Sequence, residues 1–188
     1  MPLSDPQERE LLHLRDIALR GYRRADGLFD IEAHLTDTKA YGFSNHDRGY
    51  IREGEPLHGM WMRMTVDEDL RIVACEAATE FGPYGICPAA APNFSRLAGL
   101  TIGRGFLKAA NERVGGTQGC THLRELLQQI ATTAVQTLYS VRTGREKAEN
   151  TDKPALLNTC IAYGTDSPVV LRHWPHFYTG PEPTAAPR

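Results

Sequence analysis

The stretch THLRELLQQIATTAVQTLYSV constrains this chain more than any other. Leu123, Leu126, Leu127, Ile130, Ala131, Ala134, Val135 and Leu138 recur at i, i+3 and i+4 without a break. That is the spacing of one helical face. A stripe of this length must be covered, so the sequence predicts a long central helix over roughly 121–141, lying across a second layer.

The second layer is read upstream. Phe29, Ile31, Ala33 and Leu35 alternate with Asp30, Glu32, His34 and Thr36, the period of a half-buried antiparallel strand. The same parity runs on through Asp37, Lys39, Tyr41 and Phe43, so an unbroken strand points a carboxylate and an ammonium inward. A bulge near Asp37 would turn them out instead. His58, Met60, Met62, Met64 and Val66 alternate with Leu57, Gly59, Trp61, Arg63 and Thr65, and either set can be the inner one. Asp67 to Asp69 makes a turn, and LRIVACEAATEF returns as the partner strand. GPYGICP then ends regular structure.

Strands followed by helices define an α+β fold, with an antiparallel β-sheet packed on the long central helix plus shorter helices. A shorter helix starts at Thr101, with Ile102, Phe106, Ala109 and Arg113 on one side, and stops at Gly115-Gly116. RTGREKAENTDKP reads as an exposed charged loop and PVVLRHWP as a final strand. Residues 1–22 form an N-terminal arm, with Leu11, Leu12, Leu14, Ile17 and Leu19 as the apolar set of a marginal helix. Residues 23–178 form a single domain, and 179–188, rich in proline and small residues, a disordered tail.

Charge argues against polyanionic partners. The formal net charge is −2, with both signs interspersed and no basic block, so nucleic acid is not an expected partner. The acidic N-terminus lacks the apolar core of a secretory signal, and no apolar run is long enough for a membrane span. Cys75, Cys87, Cys120 and Cys160 lack CxxC spacing, which fits reduced thiols in a cytoplasmic protein. Apolar residues on both sheet faces, including Trp61 and the methionine row, point to a homodimer.

The segment GGTQGCTHLRELL carries the first candidate site. Cys120 or Thr121 caps the long helix and His122 falls in its first turn. The unpaired amides there carry positive partial charge, which favours a neutral imidazole and a thiolate. Gly115, Gly116 and Gly119 let the backbone approach closely. Lysine and arginine on otherwise apolar strands are costly to bury unless paired or used.

RADGLFDIEAHLTDTK, GEPLHGMWMRMTVD, LAGLTIGRGF and GCTHLRELL together resemble the bacterial family called domain of unknown function 2889, over about Arg24 to Pro175. The resemblance implies a place in bacterial catabolism of lignin-like aromatics, with lyases that release a one-carbon fragment among its members. Its motifs carry Arg24, Asp26, Asp37, Lys39, His58, Arg63, Asp67, Cys87 and Gly119 to His122. Asp26 and Asp67 also read as turn-formers, and Cys87, before Pro88, as a small buried residue.

Three functions compete. The first is an enzyme without cofactor or metal, acting on a small aromatic substrate. Lys39, His58, Arg63 and His122 are its catalytic set, a histidine or lysine moving the proton and Lys39 or Arg63 holding the anion. Asp37, Tyr41, Trp61, Cys120 and Thr121 contact substrate. The second is a metal-dependent hydrolase or lyase, because Cys87, Cys120, His122 and His58 are zinc-ligand types. The third is a binding module without chemistry. Convergence of Lys39, His58, Arg63 and His122 in one cavity is the geometry the first requires.

Overall fold

The computed structural model describes residues 3–149, 154 and 156–181. They form two compact units that divide between Val141 and Arg142.

The first unit is α+β. Its sheet runs β1 (His13–Arg23), β2 (Phe29–Lys39), β5 (Pro56–Val66), β6 (Ile72–Phe81) in spatial order, all antiparallel. A small hairpin, β3 (Phe43–Asn45) and β4 (Gly49–Ile51), is inserted between β2 and β5. The inner set of β2 is the alternating one: Phe29, Ile31, Ala33 and Leu35 are fully buried. On β5 the methionine row faces in, and Trp61 and Arg63 face out.

Helices follow the strands. A 3₁₀ segment, Cys87–Leu97, packs on β6, then come α1 (Phe106–Val114) and α2 (Thr121–Thr137). The α2 stripe lies across β1, β2 and β5, with Leu123, Leu126, Ile130 and Ala134 fully buried. Gly21 marks where β1 passes under the far end of α2, since an added Cβ would meet the Thr137 side chain at 1.8 Å. Replacing Ile130 by alanine should cost about 2–5 kcal/mol in chemical denaturation; a loss near zero would mean that α2 does not carry the core.

Several expectations need correction. The N-terminal segment is not helical where the marginal helix was read: from His13 it is the edge strand β1, because its inward set (Arg15, Ile17, Leu19) has period two. The long helix breaks at Leu138, and α3 (Tyr139–Glu149) begins at once where a charged loop was expected. The shorter helix starts at Phe106 rather than Thr101, because Gly105 takes a left-handed conformation (φ 84°). Its buried face is Phe106, Ala110 and Val114, leaving Arg113 to donate to the carbonyls of Arg96 and Ala98.

The second unit holds a 3₁₀ turn, Ile161–Tyr163, and α4 (Pro168–His173). The expected final strand is this helix. Ser167 caps it by accepting from the Val170 amide at 3.2 Å, and Pro168 occupies its first turn. Of the expected disordered tail, 182–188 lie outside the described residues.

Candidate functional site

Strand register builds the site. Arg15 on β1 is paired with Asp37 on β2, which is paired with His58 on β5, so the three stand in one row on the inner face. The inward parity of β2 holds through Asp37. The irregularity comes one step later, between Asp37 and Thr38, where β5 carries the extra residue Leu57. The first turn of α2 brings His122 over this row.

Asp37 is 1% exposed and is the hub. Arg15 donates to both of its oxygens at 2.7 Å, a bidentate clamp. His58 Nδ1 lies 3.0 Å from Oδ2, His13 Nε2 3.2 Å from Oδ1, and His122 Nε2 3.7 Å from Oδ2. The rings of His58 and His122 stack at 3.7 Å between centroids. Arg15 also reaches Glu125 on the second turn of α2, which ties the helix to the edge strand.

The electrostatics assign protons. Burial pushes the Asp37 carboxyl up, but the Arg15 guanidinium, helped by His58 and His13, outweighs it and holds Asp37 below the usual carboxylate range. An ionised Asp37 only accepts, so His58 Nδ1 carries the hydrogen. Burial, reinforced by the neighbouring His122, holds His58 below its ordinary range against the opposing pull of Asp37. The ring is therefore neutral at pH 7 and Nε2 is its basic atom.

His58 and His122 line a cavity of about 520 Å³. Its apolar wall includes Met60, Pro83, Tyr84 and Ile86, and Cys120 and Thr121 stand with His122 at the helix mouth. Cys120 Sγ is 3.9 Å from His122 Nδ1. A ring-sized apolar ligand can lodge here with a base beside it.

The predicted site residues divide. Asp37, His58, Cys120, Thr121 and His122 come together. Lys39 is half-buried on the same strand face as Asp37, paired with His13, and makes no ion pair among the described residues. Arg63 does not join them. It points to the opposite face, where Glu32 (2.9 Å) and Glu76 (3.5 Å) are its counter-anions. Trp61 is on that face too, stacked on His34 at 3.7 Å and bonded to Glu80. Tyr41 is exposed beside Phe43. Arg63→Ala should accordingly leave turnover of any cavity-bound substrate within about twofold; a hundredfold loss, the scale of an oxyanion group, would return Arg63 to the site.

Sequence reasoning missed Arg15 and His13. The usable signal was the alternation in HLRDIALRG, masked by the leucines at 11, 12 and 14. Asp26 accepts from Arg24 and from the Leu28 amide, as a turn residue does. Asp67 accepts from the amides of Asp69 and Arg71.

An antiparallel sheet packed on a helix, with a buried carboxylate clamped by arginine and ringed by histidines, makes this an α+β protein with a buried polar cluster beside a cavity. The chain belongs to the family described as protein of unknown function, DUF2889, whose model matches residues 13–136 and so takes in β1 with His13 and Arg15. Comparison with curated proteins and with solved structures returns no significant match. Among the described residues, no helix is long and apolar enough to cross a membrane.

Proposed function

We propose that the protein is an enzyme that performs acid–base chemistry on a small aromatic molecule seated in the His58–His122 cavity. One observation carries this reading: a neutral His58, oriented by a buried ionised Asp37, lines a cavity that has an apolar side formed by Met60, Pro83, Tyr84 and Ile86. The reaction we propose is carbon–carbon cleavage of a lignin-type phenol with loss of formaldehyde. The phenolate expels the benzylic oxygen substituent and becomes a quinone methide. His58 takes the proton of the neighbouring primary alcohol, its C–C bond breaks, and formaldehyde leaves. The released electron pair restores the aromatic ring, so no redox partner enters. Lys39, the cation expected to hold the phenolate, does not line that cavity, so this reading assigns the phenolate oxygen no cation. Incubation with phenolic dimers bearing a primary alcohol, with a formaldehyde assay, tests the reading. A panel that yields neither formaldehyde nor substrate loss would overturn it.

A metal reading has its own observation: donor atoms of Asp37, His58 and His122 lie within 4.8 Å of one another. Against it, both Asp37 oxygens already hold Arg15, and a divalent cation would sit against that guanidinium. Stoichiometric zinc on protein purified without a polyhistidine tag would favour it. Homodimerisation, proposed from apolar residues on both sheet faces, now rests on the outer face alone, on Trp61 and Val73, because the methionines are core. Light scattering at micromolar concentration should give twice 20.9 kDa; a monomer mass would end the proposal.

A further inference from the structure

We infer that Cys120 is a nucleophile of the same cavity, whose thiolate adds to the conjugated carbon of an aryl electrophile. Three side chains stand in relay order: Cys120 Sγ is 3.9 Å from His122 Nδ1, and His122 Nε2 is 3.7 Å from Asp37 Oδ2. Thiol, imidazole and buried carboxylate in that order are the arrangement that activates a weak nucleophile. The thiol borders a ligand-sized space, because Cys120 lines the cavity together with Met60, Pro83, Tyr84 and Ile86. Backbone geometry puts it there: a Cβ on Gly119 would lie 2.0 Å from the Val114 carbonyl oxygen, so only glycine lets the chain tuck in before Cys120. Burial works to raise the thiol's pKa, but the hydrogen bond with His122 and the first amides of α2 outweigh it and hold the group below its ordinary range.

The step balances without an oxidant or reductant. The Sγ proton passes to His122 Nδ1, and sulfur bonds to the β-carbon of the acceptor. The π electrons move to the carbonyl oxygen; in an enal the proton then returns to the carbon next to the carbonyl, and in a quinone methide it goes to the oxygen, which becomes the phenol. An enal or a quinone methide on an aromatic ring matches both the soft sulfur and the apolar wall. The inference shares its cavity with the acid–base reading but does not need that reaction.

Cys75 and Cys160 serve as internal standards, while Cys87 lines the same cavity as Cys120. Cys75 is buried and its thiol is pushed up to about 12, and Cys160 is exposed. Limiting iodoacetamide at pH 7, followed by peptide mass mapping, should modify Cys120 about tenfold faster than Cys160. His122→Gln, or His122→Asn if the first variant does not fold, should abolish that advantage. Cinnamaldehyde should leave its addition mass on Cys120. The inference is overturned if Cys120 reacts no faster than Cys160, if neither His122 variant slows it, or if iodoacetamide labels Cys120 and cinnamaldehyde does not. Formaldehyde release is assayed separately on unmodified protein, so failure of the lyase reading and failure of this one give different results.

Discussion

Alanine at His58 should lower turnover of the aromatic substrate by about two orders of magnitude or more, the scale of a lost general base. The fold should survive, because His58 sits at the end of β5, outside the apolar cluster that runs from Phe29 to Leu138. Asp37 stays clamped by Arg15 in the variant, so the loss reports the imidazole itself. The pH profile sharpens the test. His58 is held below its ordinary 6.5, so in the wild type kcat/KM should stay on its upper plateau past that value and fall only at lower pH. The alanine variant should lose that acid limb. Full turnover by His58→Ala, with a melting temperature like the wild type, would move the base elsewhere in the cavity.

How far the chain could be read depends on where each signal came from. The period-two run from Phe29 fixed the inward direction through Leu35, because Phe29, Ile31 and Leu35 mark which face is core, but it left open whether a bulge turned Asp37 out. The α2 stripe did the same for the helix, and with it placed His122. On β5 both alternate sets contain large side chains, so parity alone left Arg63 free to be inward. The methionines decided the matter by filling the core, and two glutamates on the flanking strands hold Arg63 outside. Only cross-strand register could reveal those partners. Arg15 and His13 were illegible for another reason. An edge strand whose inward set ends in charge carries just two strongly apolar inner residues, Ile17 and Leu19, too few for a pattern. The carboxylate–arginine–histidine cluster is non-local: its members come from residues 13, 15, 37, 58 and 122. Pairing of three strands, and the packing of α2 on them, bring these residues together.

Asparagine at Asp37 should destabilise the fold by about 3 kcal/mol at pH 7. The removed charge is 1% exposed and leaves Arg15, whose side chain is 30% exposed, without its bidentate partner. That residual exposure puts the loss at the low end for a broken buried pair. The amide also turns an NH₂ toward the guanidinium and the His58 Nδ1–H, donors facing donors. The effect must depend on pH with a definite sign. The folded pKa of Asp37 lies below its unfolded value, so the folded state binds fewer protons. Its contribution is complete above the unfolded pKa, near 4, and is lost as pH falls through the folded value. The gap between wild type and Asp37→Asn should therefore be constant from pH 7 to about 5 and narrow steadily below about 4. Urea denaturation of both proteins across that range would show it. A gap that stays constant down to pH 2.5 would mean that Asp37 gains nothing from being ionised in the fold. The Arg15 clamp would then not be what orients His58.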